Sequence, residues 1–307
     1  MEPKVTIVFP NWNGLEDTIE CLTSLKDLDY INYNIVVVDN GSRNNEAKVL
    51  KEMFGNYIHV IENEKNMGAV GANIQGMEFA LENYKPDYLM SLNNDAVVAP
   101  DCLKEMVNTA QTYSGVGIVG AKVYWYDEPN RIQFVGHKFS PWIGDVLGVT
   151  SGILRVLGYK IYDHGQYEED RESDIIAGWC ELIDKKVVEK IGLFNPIFFF
   201  GWDDVDYSIR VKKAGFKIVY SHKARAWHKY RSSTALDGHL QYHGPKLRFY
   251  LERLHTTKLQ YAFFLLFFFL LHLPLATAYY ALWVRKPWLL KFLYRGVWDG
   301  LTNKKII

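Results

Sequence analysis

The chain has 307 residues, with 35 Lys plus Arg set against 35 Asp plus Glu and a formal net charge of zero. That balance leaves no global field for nucleic acid or for strongly acidic partners, and the length suffices for one large domain or a domain with an appendage. Cys21, Cys102 and Cys180 stand far apart without metal-type or redox spacing, and read as small buried hydrophobes of a reducing compartment.

A strand-like segment opens the chain at Val5–Phe9, which argues against a secretory leader. Further strands are predicted at Asn34–Val38, Tyr57–Glu62, Tyr88–Asn93 and Val116–Tyr124. Helical patterns fall between them, near Leu15–Leu28, Asn44–Phe54, Ala69–Tyr84 and Asp101–Tyr113. This alternation predicts βαβ units and an α/β fold with a mostly parallel central sheet. From Tyr126 to about Asp174 a Gly- and aromatic-rich stretch suggests excursions over the active face. A strand-like run, Ile175–Ile183, then leads into a short helix at Lys185–Ile191.

Ligands of open α/β sheets bind at the carboxyl ends of the strands, so the polar residues there carry the functional argument. The first strand ends in Pro10-Asn11-Trp12-Asn13-Gly14 and the second in Asp39-Asn40-Gly41-Ser42. Asp39 suits the imide N–H of a uracil or thymine ring, or else an Asx turn that caps the next helix. Asn66, Gly68, Gly71 and Asn73 surround a helix start whose amides could face phosphates or sugar, although the spacing departs from the dinucleotide fingerprint. The fourth strand ends in Asn93-Asn94-Asp95, a pattern that fits a hard-metal ligand or a simple turn. His228 is a further ligand or a structural histidine beside Trp227.

The densest acidic cluster is Asp203, Asp204 and Asp206, preceded by Phe198, Phe199, Phe200 and Trp202. Carboxylates are favoured in a first helical turn. An apolar wall also desolvates a carboxylate, raises its proton affinity and fits it for proton abstraction. On these residues alone, helix start and catalytic base both stand.

Taken in order, FPNWNG (9–14), VVVDNGS (36–42), ENEKNMGAVGANIQG (62–76), LNNDA (92–96), GWCELIDKKVVEKIGLFNPIFFFGWDDVDYSIRVKKAGF (178–216) and ARAWH (224–228) resemble family 2 glycosyltransferases of GT-A fold. Their rhamnosyltransferase-like branch, which builds cell-surface glycans, is the nearest in pattern. The resemblance covers about residues 4 to 255. It implies Asp204 as general base with Asp203 as its helper. Pro10, Asn11, Asn13, Asp39, Asn66, Gly68, Asn73, Asn93 and Asn94 are implied around the nucleotide-sugar. Asp95 and His228 are implied on a divalent metal, manganese or magnesium. Gly178, Trp179 and Trp202 are implied on the acceptor side. The family often carries Asp where Asn93 stands and Glu where Asp203 stands. Inversion at the anomeric carbon is expected, because one placed base appears without a second nucleophile. The donor expected is dTDP- or UDP-linked, with rhamnose as a candidate sugar, and the acceptor a lipid-linked or growing glycan. Two alternatives stay open at this point. One is a membrane-anchored sugar-binding scaffold without catalysis; the other is a Rossmann-type dehydrogenase, which the absent Gly fingerprint disfavours.

The catalytic domain is expected over residues 1–241, followed by an amphipathic and hydrophobic membrane-associating region over 242–307. Tyr261–Trp283 contains no Asp, Glu, Lys or Arg and is long enough to span a bilayer. His272 and Pro274 divide it, which favours a bent, re-entrant or interfacial pair of helices. Basic residues flank both sides, among them Lys246, Arg248, Arg253 and Lys258 before it, and Arg285, Lys286, Lys291 and Arg295 after. These predict association with the cytoplasmic face of a membrane.

Overall fold

The computed structural model describes residues 2–140, 142, 160–199, 201–229 and 238–302. Phe200 and part of the stretch between Tyr126 and Asp174 lie outside the described residues. The chain divides into two compact units, Met1–His137 with Tyr162–Tyr230, and Lys138–Ile161 with Arg231–Ile307.

The first half runs β1 (Val5–Asn11), α1 (Leu15–Lys26), β2 (Tyr33–Asp39), α2 (Glu46–Phe54), β3 (His59–Glu62), α3 (Gly68–Asn83), β4 (Tyr88–Leu92), β5 (Ala96–Val98), α4 (Cys102–Thr112) and β6 (Val116–Trp125). Next come β7 (Arg131–Phe134), β8 (Ile161–Tyr162), β9 (Arg171–Ser173), β10 (Cys180–Asp184), α5 (Lys185–Ile191), α6 (Asp203–Lys213) and β11 (Lys217–His228). The main sheet has the order β3-β2-β1-β4-β10-β6-β11-β5. Val5, Ile7, Val8 and Phe9 of β1, and Ile35 to Val38 of β2, are buried on both faces, as a parallel strand between helix layers requires.

The α/β fold is as expected, and the sheet is mixed rather than wholly parallel, with β6 and β11 also a parallel pair. β3, β2, β1 and β4 are parallel. β10 then enters antiparallel between β4 and β6, and β5 runs antiparallel to β11. Local patterning cannot show this, because strand direction depends on the connection by which a strand arrives. The consequence is functional: β10 carries its N-terminal end, at residues 178–180, to the same edge as the carboxyl ends of β1, β2 and β4.

Helix α3 closes tightly on this sheet through Gly76. A Cβ there would lie 2.4 Å from Val8 Cγ1 and 3.0 Å from Val38 Cγ2. Overpacking a core costs about 1–3 kcal/mol, while Ala returns up to about 1 kcal/mol of helix propensity over Gly. Gly76→Ala is therefore expected to lose about 1–2 kcal/mol in urea unfolding. Unchanged stability would show that the β1–β2 face yields.

The second unit contains α7 (His239–His255), α8 (Lys258–Trp283) and α9 (Leu290–Leu301). Phe249, Phe264, Phe268 and Val297 form its core cluster. Contrary to the expected division at His272 and Pro274, α8 is one helical run of 26 residues with mean hydropathy 2.0 over its apolar window. A wider π turn at Phe268–His272 lies where the Pro274 ring would otherwise press on the preceding turn, so the helix continues through the proline. A capping box of Thr257 and Gln260 starts it. Its outer face exposes Leu259, Phe263, Leu266, Leu270, Leu282 and Trp283. By length and composition this helix can cross a membrane.

Candidate active site

All the residues singled out by sequence fall in the first unit, at the carboxyl edge of the sheet. At the ends of β1 and β2, Asn11 Nδ2 donates to Asp39 Oδ1 at 2.8 Å and to Glu46 Oε2 at 2.9 Å. Ser42 Oγ donates to the same Asp39 oxygen at 2.5 Å. Thr18 Oγ1 donates to Asn11 Oδ1 at 2.8 Å, and Asn94 Nδ2 donates to Thr18 Oγ1 at 3.0 Å. These bonds form one chain from Asp39 to the segment after β4. Asn11 was expected beside the nucleotide; it is fully buried and its amide is used inside this network, so it orders Asp39 instead. Asn13 is exposed, with its amide N–H donating to Ser42 Oγ and its side chain accepting from the Arg43 amide, which holds the 39–43 turn. Pro10 is half-buried beside it.

The start of α3 is capped from within the chain. Asn66 Oδ1 accepts from the Gly68 amide at 2.7 Å, and Asn40 Oδ1 accepts from the Met67 amide at 3.0 Å. The expected free amide at Gly68 is thus already engaged. Phe199 packs against Gly68, its Cδ2 2.6 Å from where a Cβ would stand. Asn73 is buried in the same helix, with Oδ1 lacking a hydrogen-bond partner.

After β4, His228 and Asp95 meet. His228 Nδ1 lies 2.9 Å from Gln133 Oε1 and donates to it, which turns Nε2 to the other side of the ring. Nε2 lies 3.1 Å from Asn93 Nδ2 and 3.0 Å from Asp95 Oδ1. Two such atoms converging on one point could hold a cation. An imidazole nitrogen and a carboxylate oxygen are donors that manganese or magnesium accepts. Among the described residues no group of three or more His, Cys, Asp or Glu side chains gathers there, so phosphates and water would fill the rest of the shell.

Trp179, expected to stack on an acceptor, has one ring face against the His228 imidazole, with centroids 4.9 Å apart and planes 18° apart. Phe134 meets it edge-on at 5.8 Å. Its neighbour Gly178 points the other way, its amide donating to Asp204 Oδ2 at 3.3 Å. Two consecutive residues just before β10 therefore touch His228 and Asp204.

The acidic pair opens α6. Gly201 and Trp202 both adopt left-handed backbone, with φ of 81° and 68°. For a bulky residue this is a strained conformation worth about 1–3 kcal/mol, and it turns the chain sharply so that Asp203 and Asp204 begin the helix. Asp204 Oδ1 also accepts from the Val205 amide at 2.8 Å. Burial, then the adjacent Asp204 charge, push the Asp203 carboxyl up to about 8. Asp206 is fully buried and accepts from Arg210 Nε at 2.8 Å, a structural pairing within the helix.

Sequence reading missed Thr18, Glu46 and Gln133, which orient Asn11 and His228. It also missed Glu181 of β10, a carboxyl buried close to the acidic pair. The available signal was a charged residue inside the otherwise apolar run Ile175–Ile183.

This geometry is that of a GT-A-like α/β fold. The chain superimposes with a TM-score of 0.60 on the mannosyltransferase PcManGT from Pyrobaculum calidifontis, solved with GDP-Man and Mn2+, covering 99% of this chain and 88% of that one at 14% identity. The profile of the glycosyltransferase-like family 2 matches residues 3–242, and the chain belongs to that family. It is 22% identical over 245 residues to the galactofuranosyltransferase GlfT2 of Mycobacterium tuberculosis, covering 73% of this chain and 37% of that protein. It is 22% identical over 241 residues to an N-acetylglucosaminyl-diphospho-decaprenol L-rhamnosyltransferase of the same species, covering 73% and 76%. The chain spans between 24% and 37% of the length of the first three curated relatives it matches.

Proposed function

We propose that this protein is an inverting glycosyltransferase that moves a sugar from a nucleotide donor to a hydroxyl of a lipid-linked or growing surface glycan. The observation that carries this reading is the Gly178–Trp179 step, which joins a cation-suited pair to a proton-accepting pair at one sheet edge. A divalent cation held by Asp95 and His228 would supply positive charge against the leaving diphosphate. Asn93 and Gln133 orient the imidazole for that role. Asp39, fixed by Asn11 and Ser42, faces the nucleotide base. Pro10, Asn13, Asn66, Gly68, Asn73 and Asn94 frame the donor. Asp204, whose charge is met by two backbone amides, takes the proton of the attacking hydroxyl, with Asp203 holding the acceptor. Trp202 borders the acceptor side.

The rhamnosyltransferase among the relatives acts, by its name, with a diphospho-decaprenol lipid. That supports a lipid-linked acceptor here, and α8 with its exposed leucines supports membrane association at the cytoplasmic face. A dTDP- or UDP-linked donor is the reading Asp39 favours.

The test is a nucleotide-sugar panel read by thermal shift with and without manganese. The matching donor is expected to raise Tm only with the metal present, since a ligand bound to the native state at 100 times its Kd adds about 2.7 kcal/mol. Asp39→Ala is expected to weaken the pyrimidine donor about tenfold or more, on the scale of a lost charge-assisted hydrogen bond. Equal shifts by purine and pyrimidine donors would contradict the role given to Asp39.

A further inference from the structure

Glu181 occupies a place where a charged residue is costly. It lies in β10, between Ser91 of β4 and Gly120 of β6. Its side chain is 0% exposed, and neither carboxyl oxygen has a hydrogen-bond partner. An ionised carboxylate there would lose its hydration and receive nothing in return. The side chain is directed to the acidic pair. A Cβ built on Gly178 would stand 3.6 Å from Glu181 Oε1 and 3.6 Å from Asp204 Cβ, so both acidic side chains converge on one glycine.

The titratable groups that bear on Glu181 are Asp204, Asp203 and Tyr207 of α6, while Cys180 points to the opposite face of β10 and the nearby cation, Arg210, is paired with Asp206. No cation pairs with Glu181 itself, and the flanking Ser91 and Gly120 are uncharged. Burial first, then the charges of Asp204 and Asp203, push the Glu181 carboxyl well above the usual carboxylate range. Asp204 differs from it in having two amide donors.

We propose that Glu181 is a positioning residue of the base site: a neutral carboxylic acid whose retained proton keeps the negative charge of the three-carboxyl cluster on Asp204. This rests on Asp204 being the base. An ionised Glu181 would set a third negative charge against Asp203 and Asp204. That charge would raise the proton affinity of both, so the base would ionise only at higher pH. Placing side by side two acids of opposite protonation is how one site separates a working base from a silent acid.

The experiment compares wild type, Glu181→Gln and Glu181→Met. A carboxyl held neutral in the fold stabilises fully below the unfolded-state value, near pH 4.5, and that stabilisation is lost as pH climbs toward the folded-state value. Neither variant titrates, so the Tm difference, variant minus wild type, is expected to grow by about 5 °C or more between pH 5 and pH 8. The infrared carbonyl band of a neutral acid at pH 7.5 is expected in wild type and reduced in both variants. In transfer assays, the acid limb of kcat/KM is expected at the same pH in wild type and Glu181→Gln, because both carry a neutral group at this position. A glutamate ionised beside the pair would instead hold the wild-type limb about one unit or more above that of Glu181→Gln.

Parallel Tm curves with no change in the carbonyl band would overturn the proposal, as would an acid limb that drops by about one unit or more in Glu181→Gln. A Glu181→Gln enzyme as impaired at every pH as Asp204→Asn would overturn it too, by making Glu181 itself the base. An inactive wild type overturns the transferase reading and this role with it. An active wild type whose acid limb drops in Glu181→Gln overturns the role alone. Should Glu181→Gln fail to fold, Glu181→Met gives the same Tm, infrared and rate comparisons.

Discussion

Asp204→Asn is expected to lower kcat about 10²–10⁴-fold, the range for losing a placed general base, while leaving donor affinity within about threefold. The amide is isosteric, so the α6 start and the Gly178 contact can persist in altered form. What disappears is the carboxylate proposed to receive the acceptor proton. In the wild type the Asp203 carboxyl is pushed up to about 8 by burial and then by the Asp204 charge; Asp204→Asn removes that charge and leaves burial, so the residual rate reports on Asp203 as a poorer, less well placed base. Activity should fall on the acid side as Asp204 protonates, and a second titration should show near pH 8 as Asp203 ionises. Asp203→Asn should remove that second titration and retain a measurable rate. Rapid-quench measurement of a single turnover separates the chemical step from donor binding.

Asp95→Ala has the next largest expected effect. Asp95 and His228 place two donor atoms 3.0 Å apart, and removing one leaves a single imidazole to hold the cation. Manganese-dependent binding of a nucleoside diphosphate should weaken about 100-fold or more, and transfer should fall by about 10²–10³-fold, the scale of losing one preorganised electrostatic contact. Calorimetric titration of manganese with nucleoside diphosphate reads the binding arm without any turnover. Gln133→Ala, which releases the His228 tautomer without touching the cation, should weaken metal binding by about 10-fold. Chelator-resistant turnover by wild type would set both expectations aside.

The elements that were legible in the sequence are those whose own periodicity dictates their burial. Val5–Phe9 and Asn34–Val38 are near-continuous apolar runs and appear as the central β1 and β2. β5, β7, β8 and β9 are strands of two to four residues, too short to show a period, and they form only because neighbours offer ladder partners. The direction of β10 was hidden because nothing local distinguishes an antiparallel insertion from a βα crossover. Pro274 shows the opposite case. A local rule that breaks helices was overridden by a wider turn, which lets α8 continue.

The site was legible as motifs at element ends, since Asp39, Asp95 and His228 stand where loops leave the sheet and Asp204 opens α6. Which atoms those motifs use was not legible. Asn11 looks like a ligand contact in sequence and is a buried strut in the fold; Trp179 looks like a sugar platform and stacks on His228. Glu181 went unread because its pairing with Asp203 and Asp204 arises only when β10 slides between β4 and β6.

The central claim is that this chain transfers a sugar with Asp204 as base and inverts the anomeric carbon. NMR of a reaction with manganese, an α-linked nucleotide-sugar accepted in the thermal-shift panel and a lipid-linked acceptor reads donor consumption and product anomer together. The account predicts a β-linked product from wild type and, from Asp204→Asn, bound donor with almost no product. An α-linked product, or consumption by Asp204→Asn at the wild-type rate, would contradict it.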